Sequence, residues 1–162
     1  MWLCRTGKKF EYYTAIAEHS ELFLPWEGFN VDFSSLDGRS AFRELVQSEM
    51  HSDNQASISN WSGQLYAFCN EIDVEDLILL PERVGFYSLA QITGEYRYCE
   101  NSIYGLHHCR NVVLLKRGIP RDIFPQHIKY SLQAYRTLFH VKNEDEVKET
   151  ILKWKKERCL NG

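Results

Sequence analysis

The sequence predicts an α+β fold in which a curved, barrel-like sheet is flanked by α-helices. Three observations carry this expectation. Strand-like and helix-like segments interleave along 162 residues, with no repeat, low-complexity tract or linker between them. The run Leu77-Ile-Leu-Leu80 is too apolar for a half-wet strand and belongs in the middle of a sheet. The stretch from Phe86 to Tyr98 is long enough to wrap around a barrel. A chain of this length is expected to form one domain over residues 1–162, burying roughly two thirds of the surface exposed by its unfolded form.

Each element follows from local pattern. Trp2-Leu-Cys-Arg5 is a short apolar run stopped by Gly7, hence a first strand. Phe10, Tyr13 and Ala17 recur at helical spacing and suggest a helix up to about His19. Leu22-Phe-Leu-Pro25 reads as a second strand, and Trp26-Glu-Gly-Phe-Asn-Val-Asp32 as a loop carrying two rings, marked by Gly28 and Asn30. Asp37 can cap a helix through about Met50, with Phe42, Leu45 and Val46 on its apolar stripe. After the polar connection His51–Gln55, Ile58, Trp61, Leu65, Phe68 and Ile72 share one face of the clearest helix in the chain.

Gly94, near the end of the long strand, suggests a bulge or a close backbone approach. Asn101 to His108 reads as a loop and Arg110-Asn-Val-Val-Leu-Leu-Lys116 as another central strand. Pro120 to Phe124 is irregular. Pro125 then suits the first turn of a helix with Ile128, Leu132 and Tyr135 facing inward. Leu138-Phe-His-Val141 is the last strand. A capping-box-like start at Asn143-Glu-Asp-Glu146 opens an amphipathic terminal helix over about 143–158, with Val147, Ile151 and Trp154 inward.

Composition narrows the functional classes. Aromatic residues make up 14% of the chain, so either the core or a binding surface is ring-rich. A formal net charge of −3 argues against indiscriminate coating of nucleic acid but leaves room for a local basic patch. Five cysteines at irregular spacing, with no hydrophobic leader before Arg5-Thr-Gly-Lys-Lys9, suggest a reducing cytoplasm. No apolar stretch approaches the roughly 18 residues of a membrane span, so no membrane partner is expected.

Several chemistries lack their residues. The nine glycines are scattered rather than clustered into a phosphate loop. The His-x-Glu and Pro-Cys-x-x-Cys pair of a zinc nucleobase deaminase is missing. Glu146-Val-Lys148 resembles a nuclease Glu-x-Lys only superficially, because it sits in the first turn of a helix. Cys99, His107, His108 and Cys109 could supply four zinc ligands, but adjacent His108 and Cys109 point in different directions on an extended chain. A Cys-His nucleophilic pair from the same residues lacks an orienting partner. No catalytic residue, metal or cofactor is therefore expected, and the chain reads as a binding module rather than an enzyme.

The aromatic residues are the better lead. A planar base is held by stacking on ring faces, with a polar side chain on its hydrogen-bonding edge. Trp26, Trp61, Phe86, Tyr87, Tyr96 and Tyr98 are candidate walls, and Asn60 and Gln64 candidates for the edge. Core packing competes as an explanation for Trp61, Tyr96 and Tyr98, and helix capping for Asn60. Arg97, His108, Arg110, Lys116, Arg117 and Arg121, together with His107, concentrate positive charge in an otherwise acidic chain and are candidate phosphate contacts.

The motifs Asn60-Trp-Ser-Gly-Gln-Leu-Tyr-Ala-Phe68, Asn70-Glu-Ile-Asp-Val-Glu-Asp-Leu-Ile78, Ile92-Thr-Gly-Glu-Tyr-Arg-Tyr98, His108-Cys-Arg-Asn-Val112 and Pro120-Arg-Asp122 carry a resemblance over roughly residues 2–141. In them the chain resembles the amino-terminal specificity domain of Mrr-like modification-dependent restriction proteins, which look like members of the PUA-like superfamily with its EVE and YTH readers. The resemblance implies a PUA-like sheet with an aromatic pocket that accepts a modified base, such as methylated or hydroxymethylated cytosine or adenine, flipped from double-stranded DNA. It places Asn60 and Trp61 at the pocket-side helix, Trp26 on a facing loop, and Arg97, Arg110 and Arg121 at basic positions of the restriction-associated domains. It also implies a partner nuclease or NTPase, as a domain or a subunit. A reader of modified RNA, and an interaction module carrying an effector on its terminal helix, are the alternatives.

Overall fold

A computed structural model describes residues 1–102 and 104–160. Its elements are β1 (Trp2–Cys4), α1 (Tyr13–His19), β2 (Glu21–Phe23), α2 (Gly38–Met50), α3 (Gln55–Asn70), β3 (Leu77–Arg83), β4 (Phe86–Ile92), β5 (Arg97–Tyr98), β6 (His108–Pro120), α4 (Gln126–Ser131), β7 (Leu138–His140) and α5 (Glu144–Leu160). Ile103, within the connection expected over 101–108, and residues 161–162 lie outside the described residues.

Seven strands form one sheet in the order β2-β6-β4-β3-β1-β7, with β5 also paired to β6. Only β1 and β3 run parallel. The sheet curls into a half-barrel flanked by helices, as an α+β fold with a curved sheet requires. Helices cover both of its faces. Trp2, Cys4, Ile78 and Leu80 enter one apolar layer with Phe42 and Val46 of α2 and Leu65 and Phe68 of α3. Their strand neighbours Leu3 and Leu79 enter a second layer with Ile128 of α4 and Val147 and Ile151 of α5. Alternating side chains thus find apolar cover on both sides, which is why β1 and the start of β3 are unbroken apolar runs. Each fully buried Leu, Ile or Phe contributes about 1.5–3 kcal/mol over its exposed state.

The wrapping strand differs from the expected one. Phe86–Tyr98 is not a single strand: it divides into β4 and β5 around Gly94, where the backbone passes so close to Asn111 that a side chain would press on its Cβ at 3.1 Å. The long strand is β6, 13 residues against the seven read from Arg110 to Lys116. Cys109 pairs with Phe23 of β2 on one side and Arg97 of β5 on the other, whereas Val112 to Pro120 pair with β4. That exchange of partners, with irregular register around Leu89, lets the sheet curl.

Smaller departures have local causes. Asn54, not Asn60, caps α3, its side chain accepting from Ser57 N–H at 3.1 Å, so Asn60 lies inside the helix. The expected turn of helix at Phe10 is absent: Phe10 has φ +60°, α1 starts at Tyr13, and Ala15 and Ile16 are buried while Ala17 is exposed. Asp37 precedes α2 without a capping hydrogen bond from its side chain. Tyr135, expected to face inward, is 103% exposed, because α4 ends at Ser131 and the chain turns before β7. Among the described residues no helix is long and apolar enough to cross a membrane.

Candidate functional site

Pairing of β1 with β7 decides where the open cavity lies. Arg5, just beyond β1, donates its backbone N–H to the Thr137 carbonyl at 2.8 Å. Its guanidinium donates to the carbonyls of Arg136, at 2.9 Å, and Ala134, at 2.8 Å. This clamp holds residues 134–137 against the loop after β1. Gly7 turns that loop at φ +99°, a conformation that favours glycine.

Opposite this clamp, α3 and the loop after β2 supply the other wall. Trp61 and Trp26 meet with ring centroids 4.7 Å apart and planes at 35°. The indole N–H of Trp26 donates to Thr137 Oγ1 at 3.1 Å, which ties the loop to the segment held by the clamp. Between these walls lies a cavity of about 400 Å³, within the range of small-ligand sites. Arg5, Gly7, Lys8, Pro25, Trp26, Asn60, Trp61, Gln64, Tyr135, Arg136 and Thr137 line it. Three lining residues are cationic and none is a carboxylate.

Four of the sequence candidates therefore converge: Trp26, Asn60, Trp61 and Gln64. They are not equivalent. The Asn60 amide makes no hydrogen bond within the described residues, so its donor and acceptor are free for an occupant. Gln64, 7% exposed, has its Oε1 occupied by the backbone N–H groups of Thr137 and Leu138, each at 2.9 Å, and its Nε2 donates to the Asn60 carbonyl at 3.3 Å. Gln64 is thus chiefly a strut between α3 and β7. Gln64→Leu is expected to destabilise the fold by about 2–4 kcal/mol, because two backbone donors lose their acceptor. Chemical denaturation measures this, and a change near zero would contradict the strut.

Phe86, Tyr87, Tyr96 and Tyr98 do not line the cavity. The Arg83 guanidinium lies over the Phe86 ring at 4.1 Å, and Tyr87 is buried in the second apolar layer against Phe124. Tyr98 stacks on His107. Tyr96 belongs to a closed internal network with His108, which is 1% exposed and stacked on Phe33 at 3.7 Å. Phe33 N–H donates to the Tyr96 hydroxyl at 3.0 Å, and that hydroxyl lies 2.8 Å from His108 Nδ1. His108 Nε2 lies 2.5 Å from the Phe29 carbonyl. A neutral ring satisfies every member: Nε2–H donates to Phe29, and Nδ1 accepts from Tyr96.

Burial pushes His108 down to about 4 from its ordinary 6.5. The unfolded chain takes up this proton on passing below its own pKa near 6.5, whereas the native state refuses it until about 4. Stability is therefore full above about pH 6.5 and falls by about 2–3 kcal/mol as the pH drops toward 4. Urea denaturation at about pH 7 and about pH 4.5 measures this loss. His108→Gln should flatten the slope, and a wild-type curve already flat over that window would contradict the assignment.

The candidate phosphate contacts do not line the cavity either. Arg97 pairs with Glu21 at 3.1 Å, Lys116 lies over the Trp154 ring at 5.2 Å, and Arg117 lies over Tyr13 at 5.7 Å. Arg121 lies against the Gln133 side-chain amide. Arg110, 3% exposed, spends its guanidinium on three backbone carbonyls. Instead, Arg5, Lys8 and Arg136 supply the positive charge at the cavity. A charged run after the first strand was visible in Arg5-Thr-Gly-Lys-Lys9, but its proximity to Arg136 depends on a pairing across the whole chain. Among the described residues, no group of three or more His, Cys, Asp or Glu side chains is placed to hold a metal ion.

Residues 1–142 match a family described as a domain of unknown function, DUF8426. The chain belongs to that family. The matched DUF8426 span includes every residue that lines the cavity and stops before α5 begins at Glu144. No curated protein and no solved structure matches the chain.

Proposed function

We propose that this DUF8426 domain is a binding module that holds a modified base of double-stranded DNA in the cavity beside Trp26 and Trp61. One observation supports the reading above others: two touching tryptophans beside an unpaired Asn60 amide, in a cavity whose charged lining is cationic throughout. A base offers a flat face for stacking, an edge of donors and acceptors, and flanking phosphates. Because the rings already touch at 4.7 Å, a base stacks on an outward tryptophan face rather than between the pair. Asn60 then meets its edge, while Lys8 and Arg136 meet the flanking phosphates.

Extruding a base costs a few kcal/mol, which stacking of about 1–3 kcal/mol per base and phosphate contacts offset. In this reading the domain supplies specificity to a restriction or defence system, and the cutting or motor function resides in a nuclease or NTPase domain or subunit. Fluorescence anisotropy across methylated, hydroxymethylated, glucosylated and plain duplexes, with matching RNA as competitor, tests it. Tighter binding to one modified duplex supports the proposal. Equal affinity for all duplexes sinks it, and preference for the RNA replaces it with an RNA reader.

A further inference from the structure

We propose that Cys99 and Cys109 form a reversible redox pair that a peroxide oxidant converts into an intrachain disulfide. The two thiols lie ten residues apart on neighbouring strands, with sulfurs 2.6 Å from each other, well inside ordinary sulfur contact. Backbone pairing holds them there: Tyr98 pairs with His108, Arg97 pairs with Cys109, and Cys99 N–H donates to the His107 carbonyl at 2.7 Å. Cys99 lies opposite His107 and Cys109 opposite Arg97, so the two are diagonal neighbours on one face of the paired strands, and the sulfur contact shows that their side chains already span that diagonal, as a disulfide requires.

The two sulfurs differ in access. Cys109 is fully buried among Ala15, Phe23 and Leu106, while Cys99, just past β5, is only partly covered. Burial, followed by its contact with Cys99, pushes the Cys109 thiol up to about 12. Cys99 is thus the sulfur an oxidant reaches first, and Cys109 the resolving thiol. In the first step the Cys99 thiol attacks one oxygen of hydrogen peroxide, the O–O bond breaks, and a sulfenic acid and one water form. In the second, the Cys109 sulfur displaces the hydroxyl from the Cys99 sulfur. It loses its proton as the S–S bond forms, and a second water leaves. Overall two thiols are oxidised by two electrons and one peroxide is reduced to two waters.

Cys4, Cys69 and Cys159 have no such partner in their surroundings among the described residues. The oxidised pair closes a short loop onto β6. That strand also carries His108, whose ring holds the Phe29 carbonyl in the loop bearing Trp26.

The wild-type protein is treated with hydrogen peroxide, its remaining thiols are alkylated under denaturing conditions, and it is then digested with trypsin. Cleavage after Arg97 and Arg110 releases a peptide of residues 98–110 that contains both cysteines and no other. The expected result is loss of two hydrogens from that peptide, no alkylation on it, and reversal by dithiothreitol. The melting temperature should rise by about 5 °C, the direction expected of a short closed loop. Cys99→Ser should abolish the change and Cys69→Ser should preserve it. Linkage through any other cysteine, or over-oxidation of Cys99 with Cys109 still open to alkylation, would overturn the proposal.

Discussion

Replacing Arg110 by methionine is expected to destabilise the fold by about 3–5 kcal/mol, the largest single loss anticipated in this chain. The guanidinium is buried against the last turn of α3. Nε donates to the Phe68 carbonyl at 2.8 Å, Nη2 to Cys69 at 3.0 Å, and Nη1 to Gly94 at 3.3 Å. Carbonyls in the last turn of a helix have no partner within the helix and carry its negative end, so a cation placed there answers both needs. One side chain thereby joins α3 to the break between β4 and β5.

Methionine fills similar space but leaves those carbonyls unpaired. Arg110→Lys keeps the charge yet offers a single ammonium in place of a planar fork, and should recover only part of the loss. For a domain of this size the methionine variant should melt roughly 10 °C lower. Urea denaturation of both variants measures the effect. A loss below about 1 kcal/mol for Arg110→Met would mean that the three hydrogen bonds contribute little beyond what water supplies.

The second large effect concerns binding. Trp61→Ala is expected to weaken binding of the preferred modified duplex by about 100-fold, near the upper end of what one stacked base contributes. Trp26→Ala should have a comparable effect on affinity, since without it Trp61 loses the ring that orients it. Trp26→Phe restores a ring and should recover most of the binding. Circular dichroism of each variant separates lost affinity from lost fold. Retention of full affinity in a folded variant carrying both Trp26→Ala and Trp61→Ala would move the site away from this cavity.

Local pattern carried much of the fold. The stripe Ile58, Leu65 and Phe68 is buried because helical phase is a property of nearby residues, whereas Ile72, grouped with it by spacing, is buried just past the end of the helix at Asn70. The doubly covered strands β1 and β3 announced themselves as apolar runs for the same reason. Properties that depend on distant partners were not legible. Gly94 marked the close backbone approach at the break between β4 and β5, but the exchange of partners along β6 is not encoded in the alternation from Phe86 to Tyr98.

Arg110 and His108 read as surface charge because burial of a polar side chain depends on which carbonyls fold around it. The cavity divided along the same line. Asn60, Trp61 and Gln64 share a helix and could be grouped from sequence, and Trp26 stood out as a ring in a loop. Arg5, Lys8, Tyr135 and Arg136 come together only through the pairing of β1 with β7.

Titration of the wild-type protein with a modified duplex and its unmodified twin, followed by intrinsic tryptophan fluorescence, tests the central claim most directly. A base stacked on Trp26 or Trp61 should quench emission at the same concentrations at which binding saturates. The modified duplex should act at least about 10-fold below the plain one, a difference of roughly 1.4 kcal/mol. Trp61→Ala should remove most of the quench. Equal titration curves for the two duplexes, or binding that leaves tryptophan emission unchanged, would contradict it.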